Sequence, residues 1–365
     1  MQLGINYPWR NYGWDFGEPV ADWGERATFR RTLPAELSRL RRSGVTLLRW
    51  FLLGDGVTQG VGSAAPVRER SGFCVPQVAP LSPAFLEDFS WLLAQCEEAN
   101  VQLIPVLMGA SWAYPGLDRN STDLTTLRIW SVSRKAAARL PQGYVKGGRR
   151  DVLVDPALRR DFLARVLGPL VEASARSRRA LYAWELFNEP EWVTQLTWFD
   201  RLHPARTVPI SAMLDFIGEA AALVHEQGFH STVGFARPQS PLLFAKRAGR
   251  SLDLSVPQVH YYPRFGSRLL PARAYGDGPV LLGELATCIR RRRSLTQPFD
   301  VANPWPELTD QTLAARLEHA RSQGYQAAIV WSLRARDGAT DRDAERMLAA
   351  LGRYAGAPDC EIDRA

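Results

Sequence analysis

Residues 181–190 are Leu181-Tyr-Ala-Trp-Glu-Leu-Phe-Asn188-Glu189-Pro190, a short apolar run that stops at an amide, a carboxyl and a proline. Because proline cannot donate to a hydrogen-bonded ladder, the run predicts a buried strand that ends at Asn188 or Glu189. Enclosed parallel sheets carry their chemistry at the carboxyl ends of the strands. The polar pair at the end of this strand is therefore our first candidate for a functional site.

A second stretch of the sequence has the same pattern. Pro279-Val-Leu-Leu-Gly-Glu284 is also an apolar run that ends in a carboxyl, and Glu284 lies 95 positions after Glu189. Two acidic side chains at the ends of separate buried strands are the pair that hydrolysis of a glycosidic bond requires. Glu185 lies four positions before Glu189 on the same strand, which leaves open that one of the two is only a buried ion-pair partner.

Eight apolar runs predict strands, and helical patterns alternate with them. The predicted strands are residues 3–7, 45–53, 101–108, 181–189, 231–235, 254–262, 280–284 and 327–331. The predicted helices are residues 34–42, 82–98, 123–140, 155–173, 210–227, 242–248, 310–323 and a last helix from 341. This alternation predicts the α/β class, as a single (β/α)8 TIM barrel with extended loops on its C-terminal face.

The chain is predicted to be one domain, because no segment rich in proline, glycine or serine divides it. We therefore expect residues 1–365 to form a single catalytic barrel domain. The connection 109–155 is too long for an ordinary loop, so we expect it to hold an extra helix and to lie on the active-site face. The weakest match to a barrel is the connection 263–278, where the sixth helix is rudimentary.

The composition excludes several classes of protein. Hydrophobic residues make up 46% of the chain and charged residues 23%, which is ordinary for an enzyme with a large core. The net charge of +7 comes mostly from arginine, and the dense basic run 290–293 has no interleaved aromatic residues. We interpret that run as a solvated loop, with phosphate binding as the minor alternative, and expect no nucleic-acid partner. No run of eighteen apolar residues is present, so we expect no membrane span.

The cysteines indicate a reduced protein. Cys74, Cys96, Cys288 and Cys360 show no paired short spacing, which argues against a zinc cage and against a disulfide framework. No basic and apolar leader precedes Leu3. We therefore expect a cytoplasmic location, with secretion left open because a chain trimmed of its leader would look the same.

Polar side chains close several of the predicted strands. The set comprises Arg49, Asn188, Glu189, His260, Tyr262 and Glu284, with Trp331 beside them. Such a set fits a sugar in an oxocarbenium-like transition state, with one carboxylate below the ring, one acid beside the leaving oxygen and an aromatic floor. A charge inside an apolar strand is costly unless it is paired, so Arg49 requires a carboxylate partner inside the barrel. His260 also has a structural alternative, as a satisfied core histidine.

Four motifs together resemble a known group of enzymes. They are Trp184-Glu-Leu-Phe-Asn188-Glu189-Pro190, His260-Tyr-Tyr262, Gly283-Glu284 and Val330-Trp331-Ser332. The set is similar to the signature of the clan A glycoside hydrolases, which are retaining β-glycosidases on (β/α)8 barrels, and is nearest to the cellulases and mannanases of family 5. Asn-Glu-Pro alone is a weak motif, whereas the ordered set, which extends over residues 3–354, is specific.

The resemblance implies a role for each matched residue. Glu189 is expected to be general acid and then general base, and Glu284 the nucleophile. The expected substrate-binding positions are Arg49, Asn188, His260, Tyr262 and Trp331. Arg49 and Tyr262 would hold Glu284 ionised, since a cation and a phenol donor favour the charged form. Glu189 lacks such support and is expected to stay protonated.

The sequence departs from the cellulase pattern at the end of the third strand. A histidine is frequent there in those families, whereas this chain has Met108-Gly-Ala-Ser-Trp112. The departure leaves the exact family, and so the sugar, open. Trp9, Trp14 and Trp112 are instead candidates for stacking platforms, and we include Trp9 and Trp112 among the substrate-binding residues.

These observations predict a hydrolase without cofactor or metal that cleaves a β-glucoside, a β-mannoside or a similar bond in a carbohydrate substrate with retention. A transglycosylase that uses the same intermediate and an inactive sugar-binding barrel are the alternatives. The histidines offer no metal spacing, and none of the three lysines closes a strand as a Schiff-base aldolase would need. The sequence leaves the endo or exo mode of action and the oligomeric state open.

Overall fold

Eight parallel strands close into a barrel in the computed structural model. The described residues are 1–10, 15–17, 26–54, 64–68, 74–140, 145–249, 252–262, 268–286, 312–333 and 344–356. In chain order the barrel strands are β1 (Gln2–Asn6), β2 (Val45–Phe51), β3 (Gln102–Val106), β4 (Trp184–Asn188), β5 (Ser231–Phe235), β6 (Gln258–Tyr261), β7 (Leu281–Ala286) and β8 (Ala327–Trp331).

The strands follow one another around the barrel in chain order. Each strand pairs in parallel with its neighbours in the sequence, and β8 closes the ring on β1 from Gln2↔Ala327 to Ile5↔Val330. This arrangement brings the carboxyl ends of all eight strands to one rim. The predicted (β/α)8 barrel is confirmed, and β5 and β8 have the bounds that the sequence predicted.

Helices lie between the strands. They are α1 (Arg26–Arg42), α2 (Pro83–Glu98), α3 (Leu124–Ile129), α4 (Arg134–Ala137), α5 (Arg150–Val154), α6 (Pro156–Phe162), α7 (Gly168–Ser174), α8 (Ile210–Glu226), α9 (Ser240–Ala248), α10 (Leu313–Ser322) and α11 (Ala344–Ala355). A π-helical turn, Leu163–Leu167, joins α6 to α7. In the described part of the chain, no helix combines the length and the apolar character needed to cross a membrane.

Two small sheets outside the barrel have no counterpart in the sequence prediction. Ala64–Arg68 pairs antiparallel with Cys74–Gln77 in the connection between β2 and α2. Thr194–Gln195 pairs in parallel with Val208–Pro209 in the connection between β4 and α8. Both connections follow the carboxyl end of a barrel strand, so both add to the loops around the rim that holds the site.

The helix signals in the sequence were reliable at α2 and misleading at α1. The Ser82 hydroxyl caps α2 by accepting a hydrogen bond from the Phe85 N–H at 3.2 Å, and Pro83 occupies the first turn, as predicted. Helix α1 begins at Arg26 instead of near Pro34, so the predicted start is wrong. The rule that proline opens a helix fails there because the helix accommodates Pro34 in its interior, at the loss of one backbone donor.

In the long connection after β3, two short helices, α3 and α4, replace the single helix predicted over 123–140. Asp123 caps α3 and Ser133 caps α4, and between them Ser131 has a left-handed φ of 55°. Two competing cap residues thus divide the predicted helix. The connection begins at the carboxyl end of β3, where a bridge joins it to the end of β4.

The structure tests the prediction of a rudimentary sixth helix only in part, and it does not describe the residues at which the last two helices were predicted to start. The described part of the connection after β6 contains a 3₁₀ turn, Ala272–Tyr275, in place of a full helix. Residues 263–267 of that connection and the predicted helix starts at 310 and 341 lie outside the described residues.

Strand β2 shows how the barrel interior is layered. Side chains alternate along a strand, so Leu47, Arg49 and Phe51 share one face. Leu47 packs in an apolar cluster inside the barrel, Phe51 belongs to an aromatic layer at the rim, and Arg49 is fully buried between them. Leu48 and Trp50 face the main core, which lies between the barrel and the helices. A charged layer is therefore enclosed by two apolar ones.

Candidate active site

Arg49 is the centre of a buried hydrogen-bond network. All five of its N–H groups can be assigned to acceptors, which are the Glu185, Glu284, Asn6 and Asn188 side chains. Nε and Nη2 each lie 2.6 Å from an oxygen of Glu185, and Nη1 lies 2.8 Å from Glu284. Although burial alone would lower the pKa of Arg49, these carboxylates raise it above the usual value. Arg49 thus has two carboxylate partners, Glu185 and Glu284, where the sequence predicted one.

Of the two glutamates in the segment 181–190, Glu185 is the ion-pair partner. It is fully buried, binds Arg49 through both oxygens and accepts a further hydrogen bond from Gln258 at 2.7 Å. Gly234 leaves the space for this arrangement, because a Cβ atom there would lie 2.3 Å from a Glu185 oxygen. Glu185 is therefore enclosed beneath the rim of the barrel, whereas the side chain of Glu189 lies at the rim.

Glu284 lies on β7 with 5% of its side chain exposed. Arg49 donates to one of its oxygens, and the Tyr262 hydroxyl donates to the other. His260 on β6 pairs in register with Glu284, which brings the His260 Nδ1 atom within 3.6 Å of the same carboxyl. The sequence-predicted neighbours of Glu284 are thus together in the fold.

Glu189 follows the last residue of β4 and has a left-handed backbone, with φ 57° and ψ 54°. Such a conformation costs a non-glycine residue about 1–3 kcal/mol and is found preferentially at functional sites. The Glu189 N–H donates to the Gly234 carbonyl at 2.6 Å, which holds this turn. Its side chain is 24% exposed, and its two oxygens lie 2.9 Å from Trp192 Nε1 and 3.0 Å from His260 Nδ1.

The two carboxyls meet at the rim of the barrel. One oxygen of Glu189, one oxygen of Glu284 and a ring nitrogen of His260 lie within 4.8 Å of one another. Retaining glycosidases hold their two carboxyl groups about 5–5.5 Å apart, whereas inverting enzymes leave about 6.5–9.5 Å for a water. The short separation fits direct attack by one carboxylate on a sugar carbon.

The protonation of the pair differs from the sequence expectation. Burial raises the pKa of Glu284 above its ordinary value, and the charge of Glu189 adds to that effect, despite opposing contributions from His260, Arg49 and Tyr262. For Glu189, burial is outweighed by the hydrogen bond and charge of His260 and by the Trp192 N–H, so its pKa is lowered. The pKa of His260 is raised, because the effects of Glu284 and Glu189 outweigh burial, which would lower it.

These pKa directions are the reverse of the expectation that Arg49 keeps Glu284 ionised and leaves Glu189 protonated. Arg49 divides its charge between Glu284 and Glu185, and sequence alone did not show the second partner. His260 in turn lies at hydrogen-bond distance from Glu189, with 3.0 Å between Nδ1 and Oε1, and Glu189 is the carboxyl that was expected to lack support. His260 Nδ1 lies 3.0 Å from Glu189 and 3.6 Å from Glu284, so the charge of each of the three groups affects the proton affinity of the other two.

Aromatic residues form a cluster beside the two carboxyls. The Trp331 ring lies 6.5 Å from the rings of Phe51 and Trp9, in edge-to-face geometry, and Tyr262 packs on the same cluster. Trp9 is half-buried and Trp331 is 7% exposed. The structure thus brings two of the predicted stacking residues together at the rim.

Trp112 does not belong to this surface, which corrects its selection as a substrate-binding residue. Its side chain is fully buried, packs edge-on against Phe162 at 5.6 Å and donates to the Gly54 carbonyl at 3.1 Å. The indole therefore anchors the connection after β3 to the core and offers no face to a sugar. Trp14 lies outside the described residues.

Sequence reasoning missed four residues of the site. They are Asn6, Glu191, Trp192 and Gln258. Asn6 and Gln258 are polar residues in otherwise apolar strands, and that signal was available for both. The positions of Glu191 and Trp192 depend on the turn after Glu189, which no local pattern specifies.

The same cluster has the spacing of a three-ligand metal site, formed by Glu189, His260 and Glu284. The Arg49 guanidinium, 2.8 Å from Glu284, already supplies positive charge there. Coulomb repulsion between that charge and a divalent ion at such short range disfavours a metal. The donor set fits acid–base chemistry better than metal binding.

Comparisons with known proteins agree with this fold, although no family model matches the chain. The barrel is of the class found in solved β-mannanases. It matches β-1,4-D-mannanase from Cryptopygus antarcticus with a TM-score of 0.63 and 18% identity, over 98% of this chain and 90% of that one. The match to β-mannanase from the blue mussel Mytilus edulis has the same TM-score and identity, over 98% and 92%.

A curated relative is also similar in sequence. The mannan endo-1,4-beta-mannosidase of Cryptopygus antarcticus is 25% identical to this chain over 192 residues. The matched segment is 53% of this chain and 38% of that protein. The comparison therefore spans less than half of the relative's length.

Proposed function

We propose that the protein is a retaining glycoside hydrolase that cleaves β-mannosidic bonds in a carbohydrate substrate. The observation that carries the proposal is the meeting of Glu189 and Glu284 within 4.8 Å at the rim of the barrel. The short distance favours double displacement over inversion. The choice of mannoside over glucoside comes from the relatives, which are named for mannan and mannanase activity.

In the first step Glu284 attacks the anomeric carbon of the sugar. The bond from that carbon to the glycosidic oxygen breaks, and Glu189 gives its proton to the leaving oxygen. Glu284 must be ionised and Glu189 protonated at that moment. His260 Nδ1 lies 3.0 Å from one carboxyl and 3.6 Å from the other, so it can pass a proton between them when a sugar enters.

In the second step the ester on Glu284 is hydrolysed. Glu189, now a carboxylate, takes a proton from water while the water oxygen bonds to the anomeric carbon and the ester bond to Glu284 breaks. Arg49 and Tyr262 each donate to Glu284, which stabilises it as a leaving carboxylate. A sugar hydroxyl in place of water would give transglycosylation through the same intermediate.

The proposed sugar contacts follow from the positions of the remaining residues. Asn188 accepts from Arg49 through its oxygen, so its amide N–H groups are oriented away from the guanidinium and serve the 2-hydroxyl. Trp331, with Trp9 beside it, forms the apolar floor under the ring. Tyr262 holds the nucleophile from the opposite side to Arg49.

Azide rescue of two alanine variants tests the assignment. Glu284→Ala should lose turnover of an aryl β-mannoside and regain it with azide, giving the α-mannosyl azide. Glu189→Ala should keep cleavage of a dinitrophenyl β-mannoside and give the β-mannosyl azide, because the nucleophile is intact. Glu226→Ala, an exposed glutamate on α8, serves as the matched control. Unchanged turnover in Glu284→Ala, or the same azide anomer from both variants, would refute the assignment.

A further inference from the structure

The turn after β4 contributes a hydrogen bond to the Glu189 carboxyl. Glu189 is left-handed, and Pro190–Trp192 forms a 3₁₀ turn in which the Trp192 N–H donates to the Glu189 carbonyl at 3.2 Å. The same turn brings the Trp192 indole to the Glu189 carboxyl, where its Nε1 donates to Oε2 at 2.9 Å.

The carboxyl of Glu189 is consequently held by two donors from different elements. His260 on β6 lies 3.0 Å from Oε1, and Trp192 in the turn lies 2.9 Å from Oε2. Two donors at opposite oxygens define the plane of a carboxyl, which one donor alone would leave free to rotate. Arg237 covers the outer face of the indole, with its guanidinium 5.4 Å from the ring centre.

We propose that Trp192 is a positioning residue for the general acid/base, and that its indole N–H sets the orientation of the Glu189 carboxyl. The proposal rests on the function proposed above, since it gives Trp192 a role only if Glu189 transfers the proton. Trp192 acts through Glu189 and needs no contact with the sugar.

Two kinetic consequences distinguish this role from packing. The indole N–H favours the ionised carboxyl and is one of the contacts that lower the pKa of Glu189, so its removal should move the alkaline limb of kcat/KM to higher pH. Leaving groups that need a proton should be affected most. Loss of a hydrogen bond to a charged group corresponds to roughly 10- to 100-fold in rate.

The test compares Trp192→Phe with Arg237→Gln. The phenylalanine keeps an aromatic ring but has no N–H, whereas the glutamine removes the cation above the indole and keeps the N–H. Trp192→Phe should lose about 10- to 100-fold in kcat on a phenyl β-mannoside and less than about threefold on a dinitrophenyl β-mannoside, with the alkaline limb raised. Arg237→Gln should match the wild type in both respects.

Active-site titration keeps the outcome interpretable. A dinitrophenyl 2-deoxy-2-fluoro β-mannoside labels the nucleophile with little need for an acid, so the burst counts correctly folded sites. Equal losses on both leaving groups per titrated site, or an unshifted alkaline limb in Trp192→Phe, would overturn the role of Trp192 while leaving the hydrolase proposal intact. Absence of a burst in the wild type would instead overturn the proposed function.

Discussion

Glu191 is a buried carboxyl whose replacement should make the protein more stable at alkaline pH. It lies two residues after Glu189, is 5% exposed, and neither of its oxygens completes a hydrogen bond with another described residue. Burial raises its pKa from the ordinary 4.5 to about 7, although the nearby Ser240 hydroxyl opposes the rise. Glu191→Gln replaces the carboxyl with a neutral group of the same shape, so it removes the ionisation alone.

The magnitude follows from the difference between the folded and unfolded proton affinities. Each tenfold change in affinity corresponds to about 1.36 kcal/mol, so a pKa that rises from 4.5 to about 7 amounts to about 3 kcal/mol. The folded state binds the proton more tightly. Stability is therefore intact below pH 4.5 and is lost progressively as the pH rises through 7. Glu191→Gln should not show this loss.

Unfolding by urea or heat at several pH values measures the effect. We expect the variant to match the wild type near pH 4 and to exceed it by about 3 kcal/mol at pH 8. For a chain of 365 residues that gain corresponds to about 4 °C in melting temperature. Glu226→Gln, on an exposed position of α8, should show no such dependence. A pH-independent difference, or a variant less stable than the wild type at pH 8, would refute the reasoning.

Three further substitutions probe the site, and a fourth, in α8, serves as a control. Tyr262→Phe removes a donor to Glu284 and should lower kcat/KM about 10- to 100-fold with an unchanged melting temperature; a rate within twofold of wild type contradicts this. Arg49→Lys cannot supply five donors and should destabilise the fold by about 3–5 kcal/mol in urea unfolding, so equal stability would argue against the network. Gly234→Ala should disrupt the buried carboxylate below the rim and depress expression and melting temperature. Gly218→Ala, with open space around it in α8, should stabilise by about 0.5–1 kcal/mol; equal effects at the two glycines would contradict the packing.

Much of the barrel could be predicted because each strand is a short apolar run with its own boundary signals. Glycine, proline or a polar residue ends most of these runs, and β5 and β8 have the predicted bounds. The pairing of Glu189 with Glu284 could be predicted for the same reason, since equivalent ends of parallel strands meet at one rim.

What could not be predicted depends on contacts between distant segments. Arg49 was expected to need a carboxylate, but only the fold shows that it serves Glu185 and Glu284 together, which changes the proton affinity of the pair. Trp112 carries the same local signal as a surface tryptophan, yet the connection after β3 folds it into the core. The left-handed turn at Glu189 has no signal in the sequence, and it decides where Trp192 points.

Some expectations stay predictions. They concern the single domain over residues 1–365, the cytoplasmic location, the absence of a nucleic-acid partner and of a cofactor, and the individual roles of the site residues. The oligomeric state and the choice between internal and terminal cleavage are open to direct measurement, by sedimentation and by the product pattern on manno-oligosaccharides.

The central claim is that a covalent sugar ester forms on Glu284. Incubation with a 2-deoxy-2-fluoro β-mannosyl fluoride, followed by intact-mass analysis and peptide mapping, tests it most directly. The account predicts one added fluorosugar per chain, located on Glu284, with parallel loss of activity. A label on Glu185 or Glu189, or full turnover of substrate with no label on any carboxyl, would contradict it.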